Sequence, residues 1–241
     1  MVSAFRSQSK RVILVYIHML YTTLTITYIL NILCVYVQGG AMSICATVED
    51  FRFIASGGGD GTVRVWRLDS RELVSQLATH SKPVSRVLID VKEPSHVHSL
   101  GVDGSLFTFD IKTGRKLASH LGDCPALGLT QRKDAELELI TSDTRGKLLV
   151  WDKDSREPVL CIEDPSRGSL RVCIVSPSGR YLATAGDDHK VKVINLISFE
   201  MIAVGEAHSG SISCLAWSAD EAHLVVGGDD CCLSVWHFGR R

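Results

Sequence analysis

Past residue 40 the chain is built from short apolar runs broken by Gly and Asp. Phe53-Ile54-Ala55-Ser56 is one such run, Gly57 to Gly61 breaks it, and Thr62 to Trp66 is the next. The same couplet recurs as His98 to Asp103 with Ser105 to Phe109, and as Leu139 to Gly146 with Lys147 to Trp151. It returns as Tyr181 to Asp188 with Val191 to Ile194, and as Leu224 to Asp230 with Leu233 to Trp236. Runs of this length, rich in Val, Leu and Ile and bounded by turn residues, predict β-strands. No long stretch keeps a helical period, so helices are not expected after residue 40. The couplets end on Trp66, Phe109, Trp151, Ile194 and Trp236, at intervals of 43, 42, 43 and 42 residues. A constant period in this range predicts an all-β propeller of four-stranded blades.

Asp60, Asp103, Asp188 and Asp230 each stand six residues before the marker. An Asp in a tight turn accepts backbone N–H bonds, and Asp-Gly favours hairpins. The third unit has Arg145-Gly146 there, with Asp143 two residues earlier.

These residues resemble the WD40 repeat family over about residues 39–241. The resemblance implies a His, a strand Ser or Thr, the turn Asp and the Trp hydrogen-bonded in sequence within each blade. The matching positions are Ser56, Asp60 and Trp66 in the first repeat. They are His80, Ser99 and Asp103 in the second, and Thr141 and Trp151 in the third. They are Thr184 and Asp188 in the fourth, and His208, Asp230 and Trp236 in the fifth. Trp151-Asp152 keeps the Trp-Asp pair. Phe109 and Ile194 replace Trp, Val226 replaces the Ser or Thr, and no His is expected before the third or fourth repeat, so no blade is expected to own a complete set. Each missing hydrogen bond weakens its blade by ~0.5–1.5 kcal/mol. The repeats are placed at approximately 41–79, 80–122, 123–165, 166–207 and 208–241. Rings of the family most often hold about seven blades. Five repeats therefore read as a five-bladed ring, a piece of a longer chain, or an open array completed by a partner, and the piece is favoured.

Two longer strings narrow the resemblance. Gly186 to Val193 and Val204 to Ile212 are similar to the C-terminal propeller of the cilia- and flagella-associated WD-repeat proteins, as are Ser56 to Gly59 and Val63 to Trp66. That resemblance implies two propellers of about seven blades each. It also implies a place on axonemal doublet microtubules, with microtubule proteins as partners.

Charge excludes one class of partner. Residues 39–241 carry 23 Lys and Arg against 27 Asp and Glu, a net charge of −4, with no basic footprint for nucleic acid. The eight cysteines include no C-x-x-C pair, and several alternate with apolar residues, as in Cys214-Leu215-Ala216-Trp217. Buried free thiols in a reducing compartment are expected, hence a cytoplasmic location. His96 and His98 could share a strand face, but no third ligand is in view, so no metal or cofactor is expected. No nucleophile–base set or phosphate-binding loop is present, and Gly57-Gly58-Gly59 leads into an Asp turn and a strand. The innermost strands, Val84 to Leu88, Leu170 to Ile174 and Ile212 to Leu215, offer almost no carboxylate or imidazole. A non-catalytic scaffold for protein–protein interaction is the expectation, with Lys82, Arg86, Arg145, Arg167, His189 and Ser209 as the candidate partner face.

Residues 1–38 differ. Residues 12–48 hold no Asp, Glu, Lys or Arg, and 12–37 are mostly Val, Ile, Leu, Tyr and Thr. About 20 apolar residues can span a bilayer. Arg6, Lys10 and Arg11 precede the run and would keep the N-terminus cytoplasmic. A single-pass anchor carrying a membrane-tethered WD40 domain is the alternative. It would place a thiol-rich domain in an oxidising lumen. Two other readings are an outer strand near Leu30 to Val37 that closes the last blade, and an unnatural start to the chain.

Overall fold

The computed structural model describes residues 41–46, 53–70, 72–78, 80–132, 139–152, 157–164, 168–206 and 208–238. Every regular element among them is a strand. β1 (Ala41–Ala46), β2 (Phe53–Gly58), β3 (Thr62–Arg67) and β4 (Leu73–Ala78) form the first antiparallel sheet, in that order. β5 (Val84–Ile89), β6 (His96–Gly101), β7 (Ser105–Asp110) and β8 (Lys116–Leu121) form the second. β9 (Ala126–Gln131), β10 (Leu139–Asp143), β11 (Lys147–Trp151) and β12 (Leu160–Glu163) form the third. β13 (Leu170–Val175), β14 (Tyr181–Gly186), β15 (Lys190–Asn195) and β16 (Met201–Glu206) form the fourth. β17 (Ile212–Trp217), β18 (His223–Gly228) and β19 (Leu233–His237) make a three-stranded fifth. The tight b–c turns that join the second strand to the third in each sheet fall at the Gly and Asp breaks of the sequence.

The sheets are blades stacked face to face about an axis. The first strands pack in succession: β1 beside β5, β5 beside β9, β9 beside β13 and β13 beside β17. Among the described residues β17 has no comparable packing against β1. The core lies between blades. Val63, Val65, Val84 and Val87 fill the space between the first and second, and Leu100, Leu106, Leu139 and Trp151 that between the second and third. Leu148, Leu170, Leu182 and Ile194 lie between the third and fourth, and Val191, Val193, Ile212 and Leu215 between the fourth and fifth. Each such side chain, fully buried, contributes ~1.5–3 kcal/mol. A blade alone cannot bury both faces, so stability comes from the stack.

The marker positions share one place in this scheme. Trp66, Phe109, Trp151 and Ile194 are 5%, 3%, 3% and 3% exposed, whatever their chemistry. Trp236 is half-buried in the fifth blade, where its indole lies against Gly205 of β16. The opposite face of β19 shows Leu233 and Val235 to solvent. The apolar run at 12–37 and the strand expected near Leu30 to Val37 lie outside the described residues. Among the described residues no helix is long and apolar enough to cross a membrane.

Candidate functional site: the turn face of the blades

Each b–c turn is organised by one carboxylate. Asp60, Asp103, Asp188 and Asp230 accept the backbone N–H two residues on, from Thr62, Ser105, Lys190 and Cys232, at 3.1, 3.1, 3.2 and 3.1 Å. In the third blade Asp143 takes this part from two residues earlier, accepting from Arg145 N at 2.9 Å and Lys147 N at 2.8 Å. The residue after the Asp position has positive φ in all five blades: Gly61 (76°), Gly104 (84°), Gly146 (82°), His189 (62°) and Cys231 (64°). Glycine adopts this conformation freely, whereas His189 and Cys231 are held there at a cost of about 1–2 kcal/mol each.

Beyond the turn, each blade satisfies its Asp differently, and the residue two before the marker does so directly in the first and fourth. In the first, Arg64 reaches back to Asp60 with Nη2 2.8 Å from Oδ2. Burial pushes the Asp60 carboxyl up, but bonds from Arg64 and Thr62 more than offset it and hold the group at about 2. In the second, His80 lies between Ser99 Oγ (2.8 Å) and Ser105 Oγ (2.7 Å), and Ser105 donates to Asp103. Phe107 stacks on the His80 ring at 4.8 Å. Desolvation lowers the His80 pKa against the pull of Asp103. In the third, Trp151 Nε1 donates to Thr141 Oγ1 at 2.9 Å, and exposed Asp152 follows. In the fourth, Thr184 donates to the Val172 carbonyl, while Lys192 Nζ contacts both Asp188 and Asp164. In the fifth, His208 pairs with Asp230 at 2.9 Å and with Ser234 Oγ at 3.0 Å, and Trp236 Nε1 donates to the same Oγ at 3.0 Å.

Three sequence expectations are corrected here. The fifth blade does own a continuous His–Ser–Trp and His–Asp network, because Ser234 on β19 replaces the hydroxyl missing at Val226. The third blade does have a His. His120, at the end of β8, lies as far before Asp143 as His80 lies before Asp103, and packs 5.1 Å from the Trp151 ring. Cys161, Cys231 and Cys232 are exposed, while Cys124 and Cys173 are buried and Cys214 is half-buried.

The candidate partner residues do not share one setting. Lys82 is exposed beside Pro83 at the entry to β5. Arg145 is exposed and paired with Asp123 at 3.1 Å. Ser209 is exposed, and its N–H donates to Asp230 at 2.9 Å. His189 is half-buried in its strained turn. Arg167 lies outside the described residues. Arg86 is no loop residue: it stands on the innermost strand β5 and is largely desolvated, which lowers its pKa. A contact the sequence did not suggest joins the last two turns, where Arg171 of β13 pairs with both Asp187 and Asp229. A cavity of about 200 Å³ between the third and fourth blades is lined by Leu148, Ile162, Phe199 and Met201, with Lys192 and Asp164 at its polar end. His98 bonds Asp90 and Thr108 within the second blade. Among the described residues no group of three or more His, Cys, Asp or Glu could hold a metal ion.

Blades stacked about an axis, each with an Asp-centred turn, define the WD40 class of β-propeller. The family model described as WD domain, G-beta repeat matches residues 34–67, 157–195 and 199–237, so the chain carries WD40 repeats. The second blade and the first three strands of the third lie outside those matches yet have the same strand order. The chain is 28% identical over 199 residues to Cilia- and flagella-associated protein 52 of Sus scrofa, covering 80% of this chain and 31% of that protein. The same-named protein of Chlamydomonas reinhardtii is 27% identical, covering 73% of this chain and 29% of its own length. Actin-interacting protein 1 of Drosophila melanogaster is 24% identical over 78% of this chain and 32% of that protein. The chain therefore spans about a third of the length of these relatives.

Proposed function

We propose that this chain is a non-catalytic WD-repeat scaffold of the cilium or flagellum, binding axonemal proteins through its turn face. The supporting observation is the likeness, across four-fifths of the chain, to proteins named for association with cilia and flagella. The turn face suits the role physically: short turns fixed by carboxylates on a stacked β frame keep their side chains in place before a partner arrives. Residues 39–241 act in this reading as one repeat domain, and 1–38 as a separate segment. The test is fractionation of the tagged full chain in ciliated cells. Retention with axonemes after detergent extraction is expected, and loss of Lys82, Arg145 and His189 together should reduce it. Release by detergent, with resistance to carbonate and high salt beforehand, would overturn this reading in favour of a membrane tether through residues 12–37.

A further inference from the structure

The innermost strands share an irregularity near their start. Register shifts displace the second residue of β1, β5, β9, β13 and β17, at Ala41/Ser43, Val84/Arg86, opposite Ser142/Asp143, Leu170/Val172 and Ile212/Cys214. The residues that follow are Ser43, Arg86, Gly128, Val172 and Cys214, of which Arg86 alone is charged. Gly128 leaves the third blade without a side chain here. A Cβ at that position would meet the backbone N and Sγ of Cys173 at 3.0 Å, so β9 lies hard against β13. Arg86 is within electrostatic reach of Cys173 and Cys214, two blades and three blades away.

The guanidinium is poorly served there. Its Nη1 donates to the Ser85 carbonyl at 3.4 Å, and no carboxylate among the described residues pairs with it. Four other basic groups are engaged by carboxylates: Arg64 by Asp60, Arg145 by Asp123, Arg171 by Asp187 and Asp229, and Lys192 by Asp164 and Asp188. The nearby thiols do not supply an anion, since burial pushes Cys173 up to about 12 and raises Cys214 as well. A desolvated cation without a counter-charge is costly, and a carboxylate delivered to it forms charge-assisted, bidentate hydrogen bonds. Arg86 remains half-buried rather than sealed, so a ligand can reach it.

We infer that Arg86 is the receptor for a single carboxylate, an Asp or Glu side chain within an otherwise apolar segment of a protein partner, inserted along the axis. The inference rests on the scaffold reading and names the chemistry of one contact. The surroundings favour a monoanion on an apolar stem: the groups within electrostatic reach of Arg86 are the thiols of Cys173 and Cys214, while Asp187 and Asp229 on the neighbouring turns disfavour a polyanion.

The test is selection of random displayed peptides on the full chain. Selected peptides are expected to share one acidic position among apolar residues. Changing that acid to its amide should weaken binding about tenfold or more, as expected for a charge-assisted bond. Arg86→Met should do the same, and the two changes together should cost no more than either. Cys214→Asp is the second variant. It offers Arg86 an internal carboxylate and should abolish peptide binding, which settles the matter even if Arg86→Met fails to fold. Selected peptides without a fixed acid, or binding unchanged by Arg86→Met or Cys214→Asp, would overturn the inference. Axonemal retention of the chain in that event would leave the scaffold reading standing.

Discussion

Lys192→Met is the perturbation that separates a packed stack from an electrostatically pinned one. Lys192 is 2% exposed, and its ammonium contacts Asp188 in the turn of its own blade and Asp164 at the exit of the third. The side chains of these carboxylates are 13% and 4% exposed. Methionine matches the stem of lysine, so packing is largely kept and the loss is that of the cation. Removing one partner from a buried ionic cluster leaves the remaining charge uncompensated and typically costs 3–5 kcal/mol, about ten times a surface pair. For a domain of this size that lowers Tm by roughly 6–20 °C. The assay is urea unfolding at neutral pH, run as a double-mutant cycle with Asp164→Asn. Asp164 is the partner to remove, because Asp188 also accepts the Lys190 N–H and its loss would confound the cycle. The double variant should be more stable than the sum of the singles predicts, by at least ~1 kcal/mol, as contacting residues in one network are. A Lys192→Met protein that melts with the parent, or strictly additive costs, would refute the claim that this cluster joins the third and fourth blades.

Trp151→Ala should cost ~3–5 kcal/mol in chemical denaturation, since it empties a core position that is 3% exposed, while Trp151→Phe should lose mainly the Thr141 bond, ~0.5–1.5 kcal/mol. His189→Gly and Cys231→Gly should each raise stability by up to ~1 kcal/mol, because relief of the left-handed backbone outweighs the added freedom of the unfolded chain; a lower Tm in both would contradict the strain. His80 has its pKa depressed in the folded state, so the unfolded chain binds its proton first, and stability should fall as pH drops below about 6.5; a His80→Gln variant should show a flatter profile from there down. Asp60 is also depressed, to about 2, so its contribution is complete above pH ~4 and lost as pH falls toward 2; Asp60→Asn should remove that part of the acid transition.

The blade frame was legible because a period survives changes of chemistry that a motif does not. Phe109 and Ile194 hold the same buried place as Trp151, although neither can donate the indole bond. The networks were less legible because the position two before each marker is variable: it reaches the turn Asp as Arg64 and Lys192, packs as Phe107 and Leu149, and bonds His208 and Trp236 as Ser234. Arg64, Phe107, Leu149, Lys192 and Ser234 share no chemistry, and only Arg64 and Lys192, four residues after an Asp, could have been paired by spacing alone. His120 was missed because it sits at the end of a strand rather than in a loop, and its distance to Asp143 was the usable signal. The setting of Arg86 was not legible for a related reason: a register shift stands beside it, so counting along β5 does not give its direction.

The departures from the repeat gather toward one side of the stack. The non-glycine turn residues are His189 and Cys231, on neighbouring blades, where the other three blades keep Gly. Between them Arg171 holds Asp187 and Asp229, tying the two turns together. Strain at both turns is tolerable because the carboxylates of Asp188 and Asp230 fix the backbone on either side. Three blades thus present glycine at the turn tip, and two present a side chain, on neighbouring turns that Arg171 ties together. The turn side chains that depart from the repeat thus lie on the fourth and fifth blades, and Arg86 reaches across the axis toward the inner strands of those same two blades.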